Sequence, residues 1–282
     1  TTTATLPAQV NCTSVTKSGT TINVIWNTVR STGYQITYST DKNFKKNVKS
    51  VYVAGSSKSS YSIRNVNKNS TYYVKIRAYY TYNKISYYGA YNTALSTYFS
   101  HLYSTYTSYY DEKNTNRTTN LKIASKAISG TIVQPGKTFS FNKVVGPRTK
   151  KKGYKTASVF NGSGSGIGGG ICQVASTMFN CTLNANVSIL ERHQHSQRVG
   201  YVPNGRDAAI YGTAQDFRWK NTTKYPIRVE MTVKDGKITC SFYTNVKAAP
   251  PKVSLKVTQK GKVFTLKRTV GKKVNYTTTS RY

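Results

Sequence analysis

Apolar residues recur at every second position through most of this chain, and that rhythm restricts the fold more than any other feature. Ile22, Val24 and Trp26 alternate with polar neighbours, as do Tyr34, Ile36 and Tyr38, then Tyr72, Val74, Ile76 and Ala78. The pattern returns late with Ile227, Val229 and Met231, with Ile238, Cys240 and Phe242, and with Val253, Leu255 and Val257. A period of two puts one face of a strand inward, so sheet dominates both ends. Roughly seven such strands, separated by Asn, Ser, Gly and Lys turns, fall within residues 1–98, a density that favours a sandwich. Helical spacing occurs in residues 121–128 and again in 171–187. With 282 residues the length suits about two domains. The expected architecture is an all-β sandwich followed by an α+β domain whose core helix packs on a mostly antiparallel sheet.

The second helical stretch opens in an unusual way. Residues 162–177 run from a Gly/Ser segment containing Gly166, Gly168, Gly169 and Gly170 directly into Ile171 and Cys172. A cysteine is a nucleophile only as its thiolate, and unpaired N–H groups at a helix N-terminus favour that anion. Glycines let backbone N–H groups approach a ligand and cradle an oxyanion. A plain linker before a core helix is the bland alternative. Laid out at 100° per residue, Ile171, Val174, Ala175, Met178, Phe179 and Leu183 form a broad apolar arc, with Gln173, Thr177, Asn180 and Asn184 as a polar stripe. Cys172 lies at the edge of the arc, and Cys181 faces roughly the other way.

His193 and His195 follow in Glu191-Arg-His-Gln-His-Ser196, and share a face if the segment is extended. Asp207 and Asp216 come next. The parts for a Cys/His/acid arrangement are therefore present: Cys172 as nucleophile, His195 as acid/base with His193 as substitute or neighbour, and Asp207 to orient the ring. Gly168, Gly169, Gly170 and Gln173 are candidates for substrate contact, and Arg148 for a carboxylate clamp. A rival reading makes Cys172, His193 and His195 zinc ligands. Another makes the glycine loop a non-catalytic binder of a peptide terminus. The four cysteines show no CxxC, so neither a zinc ribbon nor a dense disulfide framework is suggested.

Forty-two Lys and Arg against eight Asp and Glu give a net charge of +34, and residues 236–282 contain no acid. An anionic partner or setting follows. No helix-turn-helix, zinc-finger or RNP pattern accompanies the charge, so nucleic acid is not the expected partner. Anionic cell-wall polymers fit without any sequence readout. No apolar run approaches the length of a membrane span, and no signal peptide is visible, so export is an inference.

Two resemblances give this reading a family context. Trp26 on an early strand, with Thr71-Tyr-Tyr-Val-Lys-Ile-Arg-Ala-Tyr79 late, resembles a fibronectin type III module, in which Tyr72 is the corner tyrosine and Val66 takes the usual leucine position. Further on, Asn116-Arg117, Pro135-Gly-Lys-Thr-Phe-Ser-Phe-Asn142, Val145-Gly-Pro-Arg148, Gly153-Tyr154, Gly168-Gly-Gly-Ile-Cys-Gln-Val174, Glu191-Arg-His-Gln-His-Ser196 and Gly205-Arg-Asp-Ala208 together resemble the VanW domain. Ala175 stands where that motif commonly has serine. The resemblance implies a secreted, cell-wall-associated cysteine L,D-transpeptidase that needs no cofactor and no metal, takes peptidoglycan stem peptides and builds 3-3 crosslinks. A zinc-dependent peptidoglycan hydrolase or a wall-binding protein is the alternative. The implied layout is a fibronectin-like module at 1–98, a VanW-like catalytic domain at 99–249 and a basic β extension at 250–282.

Overall fold

The computed structural model describes residues 6–160 and 164–282, so the first two residues of the 162–177 segment lie outside the described residues. The chain divides into two compact units. The first runs to His101 and takes in Lys224–Pro226 and Asn245–Lys247; the second holds the remainder.

The first unit is a β-sandwich of the expected fibronectin kind. One sheet orders Cys12–Ser18, Thr21–Trp26 and Ser60–Ile63; the other orders Lys49–Ala54, Gly33–Ser39, Tyr73–Tyr82 and Ile85–Tyr88, with Leu95–Ser96 pairing the long strand. The printed alternation becomes burial directly: Ile22, Val24, Trp26, Tyr34, Ile36, Val74, Ile76 and Ala78 are all buried between the sheets. Trp26 and Tyr34 pack ring on ring at 5.2 Å. The Tyr72 hydroxyl accepts a hydrogen bond from the Asn67 N–H at 3.1 Å, the upstream tie that a corner tyrosine makes. Val66 is buried as expected.

The second unit is α+β. A four-stranded sheet orders Thr131–Val133, Ile227–Lys234, Lys237–Thr244 and His101–Tyr109. Helix α1, Thr115–Ile128, begins six residues before its apolar spacing does, because Asn114 caps it by accepting from the Arg117 N–H at 3.0 Å. Strand Thr138–Ser140 gives way at once to a short helix α2, Phe141–Val145. Asp216 explains the change: its carboxylate accepts from the Asn142 N–H at 2.8 Å and the Ser140 hydroxyl at 2.5 Å, which turns the chain. Residues Thr138–Ser140, Arg218–Lys220 and Ser188–Glu191 make a small sheet, and Thr156–Phe160 pairs with Gly164–Ile167. A last sheet of Val253–Lys260, Val263–Val270 and Lys273–Arg281 completes the unit.

Helix α3, Ile171–Asn184, runs through the middle of this core, with twelve of its fourteen residues buried. A helix enclosed on all sides must have its polar groups paired internally. Thr177 meets Ser108 hydroxyl to hydroxyl at 2.7 Å, and the Asn180 amide accepts from Arg206 Nε at 2.6 Å while donating to the Arg206 carbonyl at 2.8 Å. The polar stripe read from the sequence is thus an internal seam rather than a wet face. Phe179 stacks edge-on against Phe217 at 5.7 Å; burying side chains of this size contributes about 1.5–3 kcal/mol each.

Candidate active site

The glycine turn at the head of α3 is shaped by contacts no side chain would allow. Gly168 and Gly170 have φ of 82° and 101°, a region that favours glycine. A Cβ on Gly169 would lie 2.2 Å from the Ala157 carbonyl oxygen, and one on Gly170 would lie 2.8 Å from Arg117 Cγ. Asn120 on α1 fastens the turn by donating to the carbonyls of Gly169 at 3.0 Å and Lys155 at 2.9 Å. Within the turn, the Gly169 N–H donates to Gly166 and the Ile171 N–H to Gly168. Among the described residues, that leaves the N–H groups of Gly170 and Cys172 without a protein acceptor. Of the glycines expected to cradle an oxyanion, Gly168 and Gly169 serve the turn itself; only Gly170 still offers a donor.

Cys172 occupies the first turn of α3, partly exposed, beside the His195 side chain. As a neutral thiol it also has the Ile210 carbonyl as an acceptor at 3.6 Å. Burial pushes this thiol up, yet the His195 bond and charge, a main-chain bond at Ile210 and the Arg148 charge together hold it below its ordinary value. Burial likewise pushes the His195 imidazole down, but Asp207 and Cys172 outweigh it and raise the ring to about 9. The two shifts are reciprocal, since each group's charged form favours the other's.

Asp207 fixes the ring. One carboxylate oxygen, Oδ2, accepts from the His195 main-chain N–H and from Nδ1, both at 2.7 Å. The other, Oδ1, accepts from Arg192 Nη2 at 2.7 Å and from the Tyr282 hydroxyl. Arg192 is in turn held by the Ser280 hydroxyl at 2.7 Å. Asp207 is fully buried, which pushes its carboxyl up, but the His195 bond, the Arg192 charge and the Tyr282 bond hold it below the usual range. Ser176 on α3 receives the Ala208 N–H at 2.8 Å and so ties the segment after Asp207 to the helix that carries Cys172.

Two further guanidinium groups surround the thiol. Arg148 lies against Gly168 and donates to Asn142 Oδ1 at 2.5 Å; Arg117 lies against Gly170 and donates to Gln173 Oε1 at 2.8 Å. Neither has a carboxylate within salt-bridge distance among the described residues, and burial lowers both, offset in part by the nearby Cys172 charge. Tyr201 places its hydroxyl 3.4 Å from His195 Nε2, and burial first, then the Cys172 charge, keeps that phenol protonated.

The structure brings Cys172, His195 and Asp207 together and sets Arg148 beside them. It does not bring in His193. His193 Nε2 instead meets Glu191 Oε1 at 2.9 Å, and Glu191 also accepts from the Asp216 N–H. Gln173 needs a correction as a substrate contact. Its amide is buried and used up, donating to Tyr109 O at 2.8 Å and Ser108 at 3.2 Å while accepting from Arg117. It positions Arg117 instead. No three His, Cys, Asp or Glu side chains among the described residues converge as a metal-holding set, and the zinc reading loses His193 to Glu191. Sequence spacing does not single out Arg117, Arg192, Tyr201 or Tyr282 as site residues, although Arg117 and Arg192 stand in the motifs Asn116-Arg117 and Glu191-Arg-His-Gln-His-Ser196.

Fold and site together define an α+β unit with a thiol beside an imidazole that is hydrogen-bonded to a carboxylate, following a fibronectin-like sandwich. Residues 116–243 match the family model described as "VanW like protein". The "Uncharacterized protein YoaR" of Bacillus subtilis (strain 168) is 40% identical over 142 residues, covering 50% of this chain and 47% of that protein. The "Vancomycin B-type resistance protein VanW" of Enterococcus faecalis (strain ATCC 700802 / V583) is 33% identical over 130 residues, covering 44% and 47%. This chain therefore spans about half the length of these relatives. Among solved structures, chicken CNTN1 FN1-FN3 domains align over 33% of this chain and 30% of theirs, at 24% identity and TM-score 0.26. The FN3 domain of human collagen XX aligns over 33% and 93%, at 19% identity and TM-score 0.25. No helix among the described residues is long and apolar enough to cross a membrane.

Proposed function

We propose that this chain is a cell-wall acyltransferase, a cysteine L,D-transpeptidase forming 3-3 crosslinks between peptidoglycan stem peptides outside the cell. The observation that carries the reading is the Cys172–His195–Asp207 series. The kinship of residues 116–243 to a protein named for vancomycin resistance supports a cell-wall substrate. In this reading residues 99–249 do the chemistry, 250–282 extend that domain and 1–98 space or anchor it.

The Cys172 thiolate attacks the carbonyl carbon of the donor stem's third residue. The N–H groups of Gly170 and Cys172 receive the developing oxyanion. Collapse breaks the amide C–N bond, the His195 imidazolium gives its proton to the departing amine, and D-alanine leaves a thioester on Cys172. An acceptor side-chain amine then attacks that thioester, neutral His195 takes its proton, and the thiolate is expelled as the new amide forms. Arg148 and Arg117, neither of which has a carboxylate within salt-bridge distance among the described residues, hold the donor's terminal carboxylate. Asp207 keeps the proton on Nδ1, so Nε2 faces the reaction.

The thioester itself tests the reading. Intact-mass spectrometry of the protein quenched in acid with a disaccharide-tetrapeptide donor should show one adduct equal to the donor minus D-alanine, mapped to Cys172. No adduct, or one mapped elsewhere, removes the covalent mechanism.

A further inference from the structure

The last sheet turns two very different faces outward and inward. Leu255 and Val257 pack on the core from one strand, Phe264 and Leu266 are buried from the next, and Tyr276 follows from the third. The opposite face is set by register. Lys256 pairs with Lys267 and Lys267 with Thr277; Thr258 pairs with Thr265 and Thr265 with Thr279; Lys260 pairs with Val263 and Val263 with Arg281. Lys256, Thr258, Lys260, Lys267, Thr277, Thr279 and Arg281 are exposed. Two cationic rows, about 13 Å apart at four residues of strand rise, thus border a floor of threonine hydroxyls.

Such an arrangement is costly in isolation. Like charges directly opposed on neighbouring strands, as Lys256 and Lys267 are, destabilise a sheet, and residues 236–282 supply no carboxylate to relieve them. A bound polyanion relieves them. The face also carries no aromatic side chain, so it lacks the stacking platform by which proteins hold single-stranded nucleic acid. Its apolar members are limited to Val263 and Val274, too little for insertion into a lipid surface.

We infer that the outer face of the Val253–Arg281 sheet binds a linear, non-base polyanion linked by phosphodiesters, with Lys256, Lys267, Lys260 and Arg281 on its phosphates and the threonines as hydroxyl donors. The choice of occupant rests on the cell-wall setting of the proposed function; the binding does not require turnover, so the two fail separately.

The test uses the full chain and synthetic poly(glycerol phosphate) as the probe, with oligo(dT) of equal charge and phosphatidylglycerol vesicles beside it. Replacing Lys256, Lys260, Lys267 and Arg281 together by serine is compared with replacing Lys42, Lys45, Lys46 and Lys49, exposed lysines of the first unit. The face variant should weaken poly(glycerol phosphate) binding at least tenfold and reduce its log–log salt slope by about 3, at ~0.7 per cation lost. The matched variant should change binding less than threefold. Lys256→Ser with Lys267→Ser, which removes a repulsion and keeps the fold, should give an intermediate loss. Equal losses in both fourfold variants, no loss in the face variant, or tighter binding of oligo(dT) or of the vesicles than of the polymer would overturn the inference.

Discussion

Asp207 grips His195 twice with a single oxygen: Oδ2 lies 2.7 Å from both the ring Nδ1 and the main-chain N–H of the same histidine. The ring is thereby fixed in position and in tautomer, with Nε2 left for the thiol. Removing the acceptor should therefore cost more than a hydrogen bond. Asp207→Asn, whose amide can donate where a carboxylate can only accept, should lower kcat on the order of 10³-fold with little change in substrate affinity. Asp207→Ala also leaves Arg192 and His195 buried without their carboxylate and should destabilise the fold by about 3–5 kcal/mol. Since the folded pKa of Asp207 is depressed, its contribution is present above the unfolded value of about 3.9 and is lost as pH falls through the lower folded value. Urea unfolding followed from pH 7 to pH 3 on wild type and Asp207→Ala checks both points.

The thiol should react as an anion at a pH where an ordinary cysteine does not. Alkylation of Cys172 by iodoacetamide should reach half its plateau below the ordinary value of 9.0, because His195, the main chain at Ile210 and Arg148 together outweigh burial. Turnover should fall as pH rises through about 9, where the imidazolium that protonates the leaving amine is lost. In His195→Gln the alkylation midpoint should move up to or beyond the ordinary thiol value. An unchanged midpoint would mean that the histidine does not sustain the thiolate.

Arg117 and Arg148 make a prediction about donor choice. Arg148→Gln and Arg117→Gln should each reduce kcat/KM for donors with a free terminal carboxylate by roughly 10- to 100-fold, the worth of a charge-assisted hydrogen bond. Donors amidated at that terminus should already be poor and should lose little more. Parallel losses on both donors would assign the arginines to the thiolate alone.

The glycine turn should tolerate substitution unevenly. Gly169→Ala forces a Cβ to within 2.2 Å of a main-chain oxygen that cannot step aside, and should cost on the order of 3 kcal/mol. Gly200→Ala meets nothing within 4 Å and should stay within about 0.5 kcal/mol of wild type. Thermal midpoints of the two variants make the comparison.

Strand periodicity was legible because each strand writes its buried face directly into every second residue, as Ile22, Val24 and Trp26 do. Cys172, His195 and Asp207 could be picked out because a glycine turn, a thiol, a histidine pair and an acid stand in order within the 40 residues from Gly168 to Asp207. Their supports could not. Tyr282 reaches Asp207 across 75 positions and Arg117 reaches Gln173 across 56, and nothing local in either segment announces a partner. Gln173 was misread for a related reason. A polar stripe on a helix looks solvent-facing until a strand bearing Ser108 and the Tyr109 carbonyl is laid against it. His193 and His195 are equivalent by spacing; only tertiary contact separates them, His195 meeting Asp207 and His193 meeting Glu191.

The central claim is that Cys172 performs acyl transfer between stem peptides. Purified protein incubated with disaccharide-tetrapeptides, and analysed by mass spectrometry, should yield a dimer that has lost one D-alanine and whose new bond joins the third residues of the two stems. Cys172→Ala should yield none. A wild type that forms neither crosslinked nor exchanged product, or a Cys172→Ala variant that retains either, would contradict the account.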